Sequence, residues 1–262
     1  MLDIIIPTKG NTDYLFKCLN SIQDKTQETQ YHIYVCDTGS TSSELSDIQS
    51  FLKSKFSQDR NVTLVKFDFW NFAKINNIIV NEYCEGSVIL FCNNDIELID
   101  NCIDLMYSTV CSGKDVGSVG CRLLFSDGSV QHAGQVAFIH NNRLEVTHRG
   151  LKTRNKYKPK ESVLGNTGGF MMVKRDVFIQ AGQLNENYTE CFEDVEFNMK
   201  LITRGYTNIY LDSVAATHYE SLTRTKSHAA MERLGRDYNN NLAPFFAKLN
   251  NEEKGKVLGF NL

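Results

Sequence analysis

Several short groups of side chains in this sequence could do chemistry. Asn93-Asn94-Asp95 sets two amides and a carboxylate directly after the apolar run Val88 to Cys92. Asp95 could ligate a hard cation through oxygen, with an Asn carbonyl as an uncharged second ligand, or it could cap a helix. Glu193-Asp194, in "CFEDVEF", places carboxylates where a helical pattern begins. The helix dipole favours charge there, so the pair could supply a base for a hydroxyl proton or could only stabilise the helix end. Asp37, in "CDTGST", could accept from a pyrimidine N–H or a ribose hydroxyl, or close an Asx-turn. His218, in "AATHYES", is a lone imidazole that could be structural or ligating.

The elements that must position these groups follow from hydrophobic periodicity. Apolar runs predict strands at 2–6, 31–36, 62–67 and 87–92. Between them lie helical stripes: Leu15, Cys18, Leu19 and Ile22; then Leu45, Ile48, Phe51 and Leu52; then Phe72, Ile75, Ile78 and Ile79. Strand–helix alternation predicts an α/β fold built on a parallel, doubly wound sheet. Ligands of such sheets sit at the carboxyl ends of the strands. Pro7-Thr8-Lys9, Asp37 to Ser40 and Asn93 to Asp95 would all converge on that edge. A ligand crevice is the economical explanation of those polar clusters.

The second half is less regular. Strands are predicted at 116–125, 130–139, 170–175 and 208–213, with a turn at "SDGS". Residues 141–163 are polar, basic and aperiodic, and read as a long mobile loop. A helix is expected over 193–206, with Val195, Met199 and Ile202 on its buried side and Phe197 and Leu201 flanking. Residues 225–250 read as mostly helical, with Pro244 as a break. No repeat or linker divides the chain, so one domain is expected over 1–262.

The net charge of −3 gives no basic field for nucleic acid. No apolar run approaches the ~18 residues of a spanning helix, which leaves only peripheral contact with a membrane open. The N-terminus reads as a first strand rather than a signal peptide. The eight cysteines form no C-x-x-C pair and mostly lie in apolar runs, which suits reduced core thiols and a cytoplasmic protein.

The motifs "IIIPTKG", "YVCDTGST", "NFAKINN", "ILFCNNDIEL", "DGSVQHAG", "GGFMMVKRDVF", "CFEDVEFNMKLITRGY" and "THYES" occur in order from residue 3 to about 221. Each is weak alone, but the ordered set resembles glycosyltransferase family 2, in its O-antigen and rhamnosyl-type branch. The resemblance implies a GT-A fold with a nucleotide-sugar-binding half at 1–98, an acceptor and catalytic half at 99–224, and a helical segment at 225–262. It implies a UDP- or dTDP-sugar donor, a glycan or other hydroxyl acceptor, and Mn²⁺ or Mg²⁺ held by Asp95 and His218 with Asn93. The family's Asp-x-Asp element stands here as Asn93-Asn94-Asp95, so its first carboxylate is replaced. Asp194 falls on the family's catalytic base, and Glu193 would bind the acceptor or orient Asp194. Glu196 is expected as surface or scaffold.

Thr8, Asp37, Lys74, Asn76, Asn94 and Gly169 are expected around the donor. For Lys74 a solvated helix lysine is the equal alternative, and for "GNTGGF" a plain turn. His132 would touch sugar or diphosphate, or fill the core. An inverting transfer, with one base and no separate nucleophile, uses what is present. A sugar nucleotidyltransferase would want a Gly-rich basic loop after the first strand, but "PTKGNTDY" has one glycine and one lysine. A non-catalytic binding module would not need Asp95, Asp194 and His218 together.

Overall fold

The computed structural model describes residues 1–56, 61–219 and 228–260. The elements run β1 (Leu2–Thr8), α1 (Thr12–Lys25), β2 (Tyr31–Asp37), α2 (Ser42–Phe56), β3 (Val62–Lys66), α3 (Phe72–Glu82) and β4 (Val88–Cys92). Then come β5 (Ile96–Leu98), α4 (Cys102–Cys111), β6 (Val116–Leu124), β7 (Val130–His132), β8 (Gln135–His140) and β9 (Arg143–His148). They continue with β10 (Lys160–Val163), β11 (Phe170–Lys174), α5 (Arg175–Gln180), α6 (Glu193–Thr203) and β12 (Thr207–His218). The C-terminal segment holds α7 (His228–Asp237), a π-turn (Tyr238–Leu242), α8 (Ala243–Lys248) and α9 (Asn251–Leu258).

The central sheet has the order β10-β12-β6-β11-β4-β1-β2-β3. Strands β4, β1, β2 and β3 are parallel neighbours, as the alternation predicts. Strand β11 runs antiparallel between β4 and β6, and β12 lies parallel to β6. The chain passes from β1 to β2 on one side and returns to β4 on the other. The carboxyl ends of β1 and β4 therefore flank the switch point where such sheets bind ligands.

Alternation within β1 divides the core. Leu2, Ile4 and Ile6 face α1, α2 and α4, while Ile5 joins the cluster under α3, α5 and α6. Of the predicted helical stripes, Leu15, Cys18, Leu19 and Ile22 of α1 are fully buried; in α2 and α3, Ile48, Leu52, Ile75 and Ile79 are buried, while Leu45, Phe51, Phe72 and Ile78 are half-buried. On α6 burial goes further round than the predicted stripe, because Glu196 and Asn198 are buried as well. A third cluster joins Val195 and Met199 of α6 to Leu242 and Val257 of the C-terminal segment.

The structure corrects several expectations. The 130–139 strand is broken at Gly134, whose φ of +90° turns the chain between β7 and β8. Residues 141–163 are not a structureless loop: β9 completes a hairpin with β8, and β10 is the sheet's edge strand on β12. Pro244 does not break the helical segment. It sits in the first turn of α8, where a missing N–H is tolerated, directly after the π-turn. The last strand is longer than predicted and reaches His218, and Ile96–Leu98 pairs with its end. The end of "THYES" and residues 225–227 lie outside the described residues.

Candidate active site

The carboxyl ends of β1, β2 and β4 bring their polar clusters together. Asn94 Nδ2 donates to Thr8 Oγ1 at 2.9 Å, across the switch point. Thr38 N and Oγ1 both donate to Thr8 O, which ties the first two loops. Asp37 is buried and its Oδ1 accepts from Ser40 N at 3.1 Å, three residues on rather than the two of an Asx-turn, which pins one carboxylate oxygen to the loop. Asn76 is fully buried, with Nδ2 donating to Phe72 O at 2.8 Å and its Oδ1 unpartnered. Lys74 is exposed, its ammonium 4.9 Å above the Phe69 ring.

Strand β5 explains why the chain returns to Ile96 and Leu98 after its polar triplet. Its pairing sets Ile96 opposite His218, which brings that imidazole to the end of β4. His218 Nε2 lies 3.2 Å from Asp95 Oδ1 and 3.2 Å from Asn93 Nδ2. On the ring's other side, Nδ1 is 2.6 Å from Gln131 Oε1, while Gln131 Nε2 donates to His218 O at 3.2 Å. A backbone carbonyl only accepts, so it fixes which end of the Gln131 amide faces the ring. Oε1 then requires a proton on Nδ1, so in a neutral ring Nε2 keeps the lone pair, with Asn93 Nδ2 placed to donate to it. This is how a second residue prepares a ligating histidine. Sequence reasoning singled out His132 in "VQHAG" and missed its neighbour Gln131. The signal was the alternation of β7, which sends Gln131 to the opposite face.

His132 is core. Burial and nearby His148 hold its imidazole well below the usual range, and its Nε2 accepts from Thr167 N at 3.4 Å. The buried Cys92 thiol, next to the triplet, is pushed well above its ordinary value by burial, so it stays protonated and is no nucleophile.

Asp194 begins α6. Its Oδ2 accepts from Gly168 N at 2.8 Å and Gln135 Nε2 at 3.2 Å, and its Oδ1 from Val195 N at 2.7 Å. A carboxylate has about four acceptor sites, so one remains for an incoming hydroxyl. Glu193 precedes it in the same first turn, partly buried. Glu196 is scaffold: it is buried and bonded to Tyr188 Oη, Asn185 and Lys200. Gln135 is a second residue missed from sequence.

Two successive glycines join the halves of the site. A Cβ on Gly168 would stand 3.3 Å from Asp194 Cβ, and one on Gly169 would stand 3.1 Å from Asn93 Nδ2 and 3.4 Å from His218 Cε1. Gly169 O also accepts from Asn93 N at 2.8 Å. One peptide step, about 3.8 Å between Cα atoms, therefore separates the backbone under the imidazole–carboxylate pair from that under Asp194. The missing side chains leave a cradle between them. "GNTGGF" is thus a close approach of backbone to the site.

Imidazole, carboxylate and amide oxygen suit a divalent cation such as Mn²⁺. Among the described residues no three His, Cys, Asp or Glu side chains converge, so a bound ligand would have to complete the coordination. Mg²⁺-type sites commonly take one or two carboxylates and let substrate phosphates supply the rest.

Comparison with known proteins agrees with this architecture. GalNAc-T7, solved with UDP, GalNAc and Mn²⁺, superposes with a TM-score of 0.69 at 13% identity, over 91% of this chain and 47% of that one. The mannosyltransferase PcManGT from Pyrobaculum calidifontis, solved with GDP-Man and Mn²⁺, gives 0.66 at 14% identity, over 98% of this chain and 68% of that one. The O-antigen biosynthesis protein RfbC of Myxococcus xanthus is 28% identical over 229 residues, 85% of this chain and 18% of that protein. The chain spans a quarter or less of the length of the curated relatives it matches. Among the described residues no helix is long and apolar enough to cross a membrane. The fold is GT-A. Residues 3–182, from β1 past the glycine pair to the end of α5, match the glycosyl transferase family 2 pattern, and the chain belongs to that family.

Proposed function

We propose that the protein is an inverting, metal-dependent glycosyltransferase that moves a sugar from a UDP- or dTDP-sugar to a hydroxyl of a glycan or similar acceptor. The observation that carries this reading is the glycine bridge, which sets an oriented His218–Asp95 pair and a singly available Asp194 carboxylate on either side of one small cradle. Relatives of the same fold hold Mn²⁺ with a nucleotide or nucleotide sugar, which supports the same use here.

In this reading Thr8, Asp37 and Asn94 line the nucleotide end. Asp95 and His218, with Asn93 beside them, would hold the cation. When bound, the cation supplies Lewis-acid stabilisation of the departing diphosphate. Gln131 keeps the His218 lone pair available. Asp194, held by Gly168 N and Gln135, takes the proton of the attacking hydroxyl. Glu193 and Asp194 are adjacent on a helix and diverge by ~100°, so the pair does not serve both faces of one anomeric carbon. A single displacement follows.

Donor turnover with and without EDTA tests the metal, together with Asp95→Ala. Loss of turnover to EDTA, restored by Mn²⁺ in the wild type and only weakly in Asp95→Ala, is expected. Turnover indifferent to EDTA would refute the cation's role.

A further inference from the structure

Groups from beyond residue 182, where the family match ends, help to hold the loop that leads into α6. Asp237, the last residue of α7, is buried, and its carboxylate closes on the loop leading into α6. Oδ2 accepts from Thr189 N at 2.9 Å, Glu190 N at 2.7 Å and Cys191 N at 3.3 Å, and Oδ1 from Thr189 Oγ1 at 3.1 Å. Three consecutive backbone N–H groups on one carboxylate oxygen fix the path of that loop.

The next residue, Phe192, has φ 80° and ψ −4°, a left-handed conformation that a bulky side chain rarely adopts. Such a conformation persists only where its surroundings over-determine it. Here the surroundings are again the C-terminal segment. The Tyr238 ring, first in the π-turn, meets the Phe192 ring edge-on at 6.2 Å, and Arg233 pairs with Glu190. From the other side, Tyr188 and Asn185 are fastened to Glu196, and Asn71 Nδ2 donates to the carbonyls of Glu186 and Tyr188. Asp194 lies two residues after Phe192, so that turn sets the direction from which its carboxylate reaches Gly168 N and Gln135 Nε2. The π-turn, of a kind that often accompanies functional sites, follows Asp237 directly.

We infer that Asp237 is a positioning residue for Asp194: its carboxylate holds Thr189 to Cys191, forces the left-handed turn at Phe192, and so aims the base at the acceptor. The inference rests on the reading of Asp194 as base. It gives the C-terminal helical segment a part in the transfer step and none in donor binding, which takes place on the far side of the glycine bridge.

The test uses the full chain. Asp237→Ala orphans the three N–H groups. It should lower kcat by at least about tenfold, since misplacements near 1 Å can cost about a hundredfold, while donor Kd stays within twofold. Amide exchange should rise at Thr189, Glu190 and Cys191. Asp237→Asn keeps one acceptor oxygen and should restore kcat to within about threefold of wild type. Should Asp237→Ala not fold, Asp237→Glu decides: it keeps the charge but moves the carboxylate by about one C–C bond, ~1.5 Å, and should lower kcat with donor Kd unchanged. Wild-type kcat in folded Asp237→Ala or Asp237→Glu, or equal losses in kcat and donor affinity, would overturn the inference. Asp194→Asn is assayed alongside. If it keeps its turnover, the base reading itself fails; if it is dead while the Asp237 variants are normal, only the clamp fails.

Discussion

Gln131→Leu removes the amide that orients His218 while nearly keeping its volume. In the wild type Gln131 Nε2 is committed to His218 O, so Oε1 must face Nδ1, at 2.6 Å. Without it the ring can place its proton on Nε2, where Asp95 Oδ1 waits at 3.2 Å. A protonated Nε2 has no lone pair for a cation. Residues in this orienting role are typically worth about 10–100-fold in metal affinity, or about 1.4–2.7 kcal/mol. The substitution also strips a partner from the buried His218 O, a cost of about 1–3 kcal/mol of stability, so the fold is checked by thermal melting. The assay is a calorimetric Mn²⁺ titration with saturating UDP. The Mn²⁺ affinity of a folded Gln131→Leu should fall by at least tenfold, with UDP affinity in EDTA unchanged. A Mn²⁺ affinity within twofold of wild type would refute the tautomer argument.

Gly169→Ala should lower turnover by about fivefold or more without unfolding the chain: its φ is not left-handed, yet the new methyl would stand 3.1 Å from Asn93 Nδ2 and 3.4 Å from His218 Cε1. Equal Mn²⁺-dependent donor affinity in this variant and the wild type would show that the cradle is empty of ligand. Proton NMR of the first-formed product should show inversion, an α-linked donor giving a β-glycoside and dTDP-β-L-rhamnose an α-glycoside. Retention would overturn both the single displacement and the role given to Asp194.

The front half of the fold was legible because buried parallel strands are plain apolar runs: Val88 to Cys92 are all buried. The polar residues that stop those runs mark the crevice, since nothing in a core strand calls for Asn93-Asn94-Asp95. The misread regions carry weaker signals. Strand β9, "RLEVTH", buries only Leu144, with Val146 half-buried, and edge strand β10, "KESV", buries only Val163, so each carries too few apolar residues for a clear period. Strand β5 is three residues long, too short for a period, yet it is what brings Asp95 to His218. Gln131, Gln135 and Asp237 act through partners 59 residues away in the case of Gln135, 87 for Gln131 and 46 to 48 for Asp237. Their types are ordinary at their positions, and only the assembled fold shows what they hold.

The central claim is that Asp194 takes the acceptor proton while the other side of the glycine bridge holds the donor. It is tested most directly by comparing single-turnover transfer and donor Kd for Asp194→Asn and wild type at saturating Mn²⁺. The substitution keeps the side chain's shape and removes the proton acceptor; with one oxygen replaced by NH2, either Val195 N or the Gly168 N and Gln135 Nε2 pair loses its acceptor, so the fold is checked by thermal melting. Transfer should fall by at least about a hundredfold, the low end for a general base, with donor Kd within twofold. Near wild-type transfer, or a donor Kd that weakens in step with the rate, would contradict the account.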